Sequence, residues 1–183
     1  REVDFYTDEK ITQVITKNYL TGQILPINAT QFPDGKEGEY FLLARALFLK
    51  KFKEDKEEFQ FPTIDNLPVL ASLFFHLQEG YDGPMLSQDP EERLIQLFRY
   101  FQIKKVLEVG TRGNLYFTVI LNDILKKAHS DASLSIVDLV SNPSASKYGI
   151  NAMLGDARAL SELSGNQKFD LILSSGVLSL GGV

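Results

Sequence analysis

Residues 104–113 read Lys-Lys-Val-Leu-Glu-Val-Gly-Thr-Arg-Gly, and this stretch decides the fold. Its apolar residues Val106, Leu107 and Val109 form a short run that is typical of a buried strand. Glu108 lies inside the run, and a turn that carries Gly110 and a second glycine follows it. Glycines between a parallel strand and a helix let the backbone approach a ligand closely. The stretch therefore predicts a nucleotide-type binding turn.

The chain after this turn alternates between strand and helix patterns. Apolar periodicity predicts a helix over 114–127 and a short one over 158–164, and it predicts further strands over 134–138, 150–154 and 169–174. Strands and helices in this order indicate βαβ units and a parallel sheet. The connection between the second and third strands is short, since a crossover normally needs a dozen or more residues. We therefore expect either a vestigial helix in that connection or a connection from which residues are missing.

The fourth predicted strand is the last one before the sequence stops at Val183. A four-stranded half-sheet would leave this strand as an exposed edge, which proteins normally cover. We therefore expect more chain, or a partner, at that edge.

The first 88 residues predict helices instead. A face of Ile11, Val14, Ile15 and Tyr19 follows the possible capping residue Thr7, and further helices are predicted over 39–53 and 68–78. The pair Asp89-Pro90, followed by two glutamates, is a strong helix start. We expect a helical N-terminal region over 1–88 and a sheet domain over 89–183. The helical region is predicted to pack over the sheet's crevice or to mediate dimerisation.

The composition excludes several kinds of site. The chain has no cysteine, which excludes disulfides, thiolate metal sites and a cysteine nucleophile, and its two histidines exclude a multi-histidine metal site. The net charge is −5, and no single-sign stripe of Lys and Arg indicates nucleic acid as a partner. No apolar run reaches the roughly 20 residues that span a bilayer, and no signal peptide opens the chain. We expect a cytoplasmic protein with a small-molecule partner and no membrane partner.

Acidic and small residues follow the ends of the predicted strands. Glu108 and Gly110 end the first strand, Asp138 ends the second, Asp156 follows the third and Ser174 closes the fourth. In an open parallel sheet, ligands bind beyond the carboxyl ends of the strands, so these residues should converge on one crevice. An acid after the second strand can accept both ribose hydroxyls, and an acid after the third can accept from an adenine amino group. Glu108 would repel a pyrophosphate but suits a sulfonium, which favours a cationic adenosine-bearing ligand.

Taken together, these pieces resemble the class I S-adenosylmethionine-dependent methyltransferases. The resemblance covers residues 89–183 and rests on Val106-Leu-Glu-Val-Gly110, Ile136-Val-Asp138, Gly155-Asp-Ala157 and Phe169-Asp-Leu-Ile-Leu173. It implies a Rossmann-like open parallel sheet, S-adenosylmethionine as cofactor and methyl transfer to a small molecule. It also implies that the turn from Glu108 lines the methionine part, Asp138 binds the ribose, Asp156 and Ala157 meet the adenine edge, and Ser174 faces the reacting methyl. The implied cofactor-binding set is Glu108, Gly110, Thr111, Asp138, Asp156, Ala157 and Ser174.

Two alternatives remain open. Family members usually carry glycines where this chain has Arg112 and Asn114, which favours a binding or regulatory module that has kept the fold without catalysis. A nicotinamide dinucleotide is the other alternative, although Glu108 and the incomplete glycine pattern argue against it. Asp156 could instead cap the helix that follows it, and we predict that Asp170 makes a structural turn. No catalytic base and no metal site are predicted.

Overall fold

The structure, a computed structural model, describes residues 37–54, 66–111 and 115–174. The predicted helix from Ile11 to Tyr19, the positions Arg112 and Asn114, and the chain after Ser174 lie outside the described residues. The described elements are α1 (Glu37–Glu54), α2 (Asn66–Glu79), α3 (Pro90–Tyr100), β1 (Lys105–Val109), α4 (Tyr116–Ala128), β2 (Ser133–Asp138), a 3-10 helix (Pro143–Tyr148), β3 (Asn151–Leu154), a 3-10 helix (Ala157–Ala159), α5 (Leu160–Leu163) and β4 (Leu171–Ser174).

The four strands form one sheet with the order β3-β2-β1-β4. All three pairings are parallel, with Val109 opposite both Val137 and Ser174, and Asp138 opposite Leu154. The predicted α/β class and parallel sheet are therefore confirmed, and the architecture is compatible with a Rossmann-like fold. Because the strands run in the same direction, their final residues lie along one side of the sheet, which we call the carboxyl edge.

Helix α3 begins where the sequence predicts it. The Asp89 side chain accepts a hydrogen bond from the Glu92 backbone N–H at 2.9 Å, and Pro90 occupies the first helical position. Pro90 has no N–H to leave unpaired there, and two glutamates in the first turn suit the positive end of the helix dipole. Leu94, Leu97 and Phe98 are buried on one face of the helix, so the cap and the apolar packing favour the same helix.

One continuous core joins the helices to one face of the sheet. Residues paired in a parallel ladder share a face, and alternate residues along a strand point to opposite faces. The face that carries Val106, Ile136 and Leu173 packs in the same cluster as buried aromatic side chains from three helices, Phe74, Phe98 and Phe117. Helices α1 and α2 are part of this cluster, so the core crosses residue 88 without interruption.

A group of charged side chains, of which Lys51 and Glu91 are buried, joins α1 to α3 and α4, and we call it the ion cluster. Glu91 accepts from Lys51 at 2.7 Å and from Lys127 at 2.7 Å, and its other oxygen lies 2.9 Å from Lys50 Nζ. Lys51 also donates to Asp123 at 2.9 Å. Lys51 is only 4% exposed, so α1 is held to its neighbours by charge as well as by apolar packing.

The connections beside β3 are short. Only a six-residue 3-10 helix lies between β2 and β3, and it ends at Gly149, whose φ is 68°. After β3, a three-residue 3-10 helix and the four residues of α5 lead toward β4. Of the two alternatives for this connection, the structure has the vestigial helix. Its consequence is that β3 stays poorly covered, with Leu154 63% exposed.

Candidate functional site

The turn after β1 depends on Gly110. Its backbone N–H donates to the Val137 carbonyl oxygen at 2.9 Å, which continues the β1–β2 ladder one residue past β1. Its φ is 78°, a conformation that residues with a Cβ rarely adopt. Glycine is therefore required for the chain to leave the sheet at this point and to pass over the end of β2.

Thr111 and Asp138 meet at the carboxyl edge. The Thr111 hydroxyl donates to Asp138 Oδ2 at 2.7 Å, and the Val140 backbone N–H donates to Asp138 Oδ1 at 3.1 Å. Thr111 and Asp138 are both buried, and Asp138 is 8% exposed. The carboxylate is thus fixed between the turn after β1 and the loop that follows β2.

Glu108 lies on the same face of the sheet as Asp138. It is opposite Ile136 in the ladder, and Ile136 and Asp138 are two positions apart on β2. Glu108 is 1% exposed, and its Oε2 accepts from the Thr118 hydroxyl at 2.6 Å. Thr118 lies in the first turn of α4, where unpaired backbone N–H groups favour a negative charge. Glu108 is therefore an acid at the interface of β1 and α4, beneath the turn.

Asp156 follows β3 and makes local contacts. Its Oδ1 accepts from the Arg158 backbone N–H at 2.9 Å and caps the 3-10 helix, as the capping alternative predicts. The Arg158 guanidinium also binds this carboxylate, with Nε 2.9 Å from Oδ2. That hydrogen bond holds the pKa of Asp156 at about 2, below its ordinary value. Asp156 is nevertheless near the second strand, because the Gly155 N–H donates to the Asp138 carbonyl at 2.9 Å.

Ser174 closes β4 on the other side of β1. It is exposed and lies opposite Val109, one residue before Gly110. The structure thus brings Glu108, Gly110, Thr111 and Asp138 together around the ends of β1 and β2. Asp156 and the half-buried Ala157 lie one strand outward at the end of β3, and Ser174 lies at the end of β4.

Sequence reasoning missed two features of this site. One is Thr118, the hydrogen-bond partner of Glu108. The other is the apolar pair Leu139 and Val140, which follows Asp138 directly and is 75% and 55% exposed. The sequence does contain a signal for the second feature, because two apolar residues directly follow the acid that ends the predicted strand. A loop at a solvated strand end does not need apolar side chains for folding.

Asp170 has the structural role that the sequence predicts. Its Oδ2 accepts from the backbone N–H groups of Lys104 at 2.9 Å and Lys105 at 2.8 Å, at the amino ends of β1 and β4. These hydrogen bonds lower the pKa of Asp170. Asp170 is therefore at the opposite edge of the sheet from Asp138.

Within the described ranges, no group of three or more His, Cys, Asp or Glu side chains is arranged to hold a metal ion. Among the helices that the structure describes, none has the length and apolar content that crossing a bilayer requires. Comparisons with protein-family models, with curated proteins and with solved structures found no significant match to this chain.

Proposed function

We propose that this chain binds S-adenosylmethionine at the carboxyl edge and transfers its methyl group to a small molecule. The observation that carries the proposal is the Thr111–Asp138 hydrogen bond of 2.7 Å, formed directly after a glycine with φ of 78°. It fixes a carboxylate at the crevice side of two adjacent parallel strands, where open α/β sheets bind ligands.

The surroundings of Asp138 suit an adenosine. A carboxylate offers about four acceptor sites, and a ribose diol can donate to them beside, or in place of, the Thr111 hydroxyl. Leu139 and Val140 lie next in the chain and expose apolar side chains. Apolar surface beside a fixed hydrogen-bond acceptor is the usual composition of a small-molecule site, and here it would pack against the flat base.

The charges favour a sulfonium over a pyrophosphate. Glu108 and Asp138 are acids on one face of adjacent strands, and they accept hydrogen bonds from the hydroxyls of Thr118 and Thr111. Asp156, one strand further out, is paired with Arg158. Carboxylates at a binding site attract a cationic ligand and repel phosphate groups.

Bound here, S-adenosylmethionine would supply an electrophilic methyl group on its sulfonium. The chain's own part would be to hold the ribose through Asp138, to offset the positive charge through Glu108 and to align the acceptor. Alignment alone can contribute roughly 7–11 kcal/mol, so the proposal needs no catalytic base and assigns none.

A non-catalytic binding module is the second candidate. It is favoured because Asp138 and Asp156 already have hydrogen-bond partners within the chain. Asp138 accepts from Thr111 and Val140, and Asp156 is bound by Arg158. Such a module would bind the cofactor without turning it over.

Titration calorimetry with S-adenosylmethionine, S-adenosylhomocysteine and NAD tests the proposal. We expect both sulfur ligands to bind in preference to NAD. The variant Asp138→Asn should bind them about ten- to a hundredfold more weakly, because hydrogen bonds to a charged acceptor are lost. The matched control Asp131→Asn changes an exposed acid that pairs with Lys104 near the amino end of β2 and should bind as the wild type does.

No heat with either sulfur ligand, or preferential binding of NAD, would contradict the proposed site. Binding without methyl transfer to any member of a small-molecule acceptor panel would favour the non-catalytic module over the enzyme.

A further inference from the structure

A groove of about 340 Å³ follows the outer side of β3. Its lining consists of Val140, Ser141, Asn142, Pro143, Ser146, Ile150, Asn151, Ala152, Met153 and Leu154. Five of these residues are consecutive and include the whole of β3. Since successive side chains of a strand point to opposite faces, a groove that touches all of them runs along the backbone edge, where a further strand would lie.

The hydrogen-bonding groups of this edge can be assigned. The Gly155 N–H donates to the Asp138 carbonyl and so points toward β2. The direction of the backbone groups alternates along a strand, so Asn151 and Met153 also point toward β2. Ala152 and Leu154 therefore direct their N–H and C=O groups away from β2, toward the groove. Among the described strands, β3 pairs with β2 alone.

The edge formed by residues 150–154 is short, but it carries neither the charged side chains nor the proline that often prevent strand addition. Proteins protect exposed edges with charged side chains, proline or bulges. None of the ten lining residues is charged, in a chain in which 23% of residues are charged, and β3 itself reads Asn-Ala-Met-Leu. Val140, Met153 and Leu154 add apolar surface, and Ser141 and Ser146 add neutral polar groups on the opposite wall.

We propose that the edge of β3 is a docking site for an extended, uncharged peptide segment of a partner protein, which adds to the sheet as a strand parallel or antiparallel to β3. Backbone groups of Ala152 and Leu154 bind the segment, and its alternate side chains contact the apolar wall. The absence of charge from the lining selects a neutral segment, because a charged side chain would lose water there without gaining a counter-ion. Residues 140–143 and 146 form the other wall of the groove. This inference does not depend on the proposed cofactor.

The probes are capped synthetic peptides of roughly six residues, long enough to span β3. One set alternates Val with Thr, and matched sets carry Lys or Glu in place of Val. Binding is monitored by amide hydrogen exchange of the chain without cofactor, measured in the presence and in the absence of each peptide. We expect the neutral peptides to slow exchange at Ala152 and Leu154 about tenfold or more, with little change at Asn151 and Met153, which β2 already protects.

The variant Ala152→Pro removes one outward N–H and leaves the β2 ladder intact, since proline is tolerated on an edge strand whose N–H faces outward. It should weaken peptide binding about tenfold. The matched control Ile172→Ser alters an exposed apolar residue of β4 and should bind as the wild type does. Circular dichroism of both variants verifies that they fold.

Equal binding of neutral and charged peptides, or no slowed exchange at Ala152 and Leu154 with any of them, would overturn the proposal. A concentration-dependent dimer in sedimentation experiments that Ala152→Pro abolishes would also overturn it, because the edge would then belong to a second copy of this chain.

Discussion

At the scale of single residues, Glu91 and Lys51 show how a buried charge is made tolerable. Burial alone would raise the pKa of Glu91, but hydrogen bonds from Lys127, Lys51 and Lys50 outweigh it and hold the pKa at about 2, below the ordinary 4.5. Burial would likewise lower the pKa of Lys51, and hydrogen bonds to Glu91 and Asp123 raise it instead. Both groups are therefore charged at neutral pH and depend on each other.

Removing one partner should be costly. In Lys51→Met, Glu91 keeps Lys50 and Lys127 but loses its most buried donor, so we expect the free energy of unfolding to fall by about 2 kcal/mol. The control Lys104→Met breaks an ion pair whose side chains are 41% and 66% exposed, and it should change stability by less than about 0.5 kcal/mol. Urea unfolding of both variants gives the comparison. Equal losses would show that the ion cluster contributes no more than a surface pair.

Acid should weaken the fold through the same residue. The pKa of Glu91 is lower in the folded chain than the ordinary 4.5 of an unfolded one, so its contribution is fully present above about pH 4.5. The contribution is lost as the pH falls toward about 2. The stability difference between wild type and Glu91→Gln, measured by urea unfolding, should therefore narrow across this window. A stability difference that stays constant across this pH range would mean that the pKa of Glu91 is the same in the folded and the unfolded chain.

The positions of the acidic residues in the fold could be predicted from the sequence, but most of their hydrogen-bond and ion-pair partners could not. The places of Glu108, Asp138 and Asp170 follow from strand alternation and from the shared direction of parallel strands. The hydroxyl donors Thr111 and Thr118 do not, because each depends on how a turn or a helix packs over the sheet. Long-range pairs such as Lys51 with Glu91, which are 40 positions apart, leave no local signal at all.

At the scale of elements, prediction succeeds where a cap or a strong period fixes the ends. Helix α3 begins at Pro90, directly after its predicted cap Asp89, and β1 and β2 are found within a residue of their predicted bounds. The connection after β2 is harder to predict. Its serines compete with an α-helix through local hydrogen bonds. A contact with α4, in which Asn122 donates to the Tyr148 carbonyl oxygen at 2.9 Å, holds the end of the 3-10 helix.

Gly149 gives a test of that connection. Its φ is 68°, and a Cβ added there would meet no atom within 4 Å, so Gly149→Ala should cost about 1 kcal/mol through backbone strain alone. The control Gly80→Ala has an ordinary φ and a nearest contact of 3.4 Å to the Phe101 ring, and it should be close to neutral. Thermal unfolding distinguishes the two variants. A neutral Gly149→Ala would mean that the turn relaxes and does not fix the start of β3.

At the scale of the whole molecule, one core holds four helices against a single face of a parallel sheet. Helix α1 contributes Leu47 and Phe48, and Phe48 stacks on Tyr116 and Phe117 of α4 with ring centroids 5.8 and 6.3 Å apart. Helices α1 and α2, the described helices before residue 88, thus share a core with the sheet region. The sequence predicts helices there and leaves open whether they pack over the sheet's crevice or mediate dimerisation, because an apolar helix face does not specify the surface that covers it.

The central claim is that the carboxyl edge around Thr111 and Asp138 binds an adenosine-bearing sulfonium ligand. Amide chemical shifts of the isotope-labelled chain, followed during titration with S-adenosylmethionine, test this proposal. We expect saturable shifts at Gly110, Thr111 and Asp138–Val140, with smaller ones at Gly155–Ala157 and none at Asp170 on the opposite edge. An unchanged spectrum at saturating ligand, or shifts confined to residues away from the ends of β1 and β2, would contradict it.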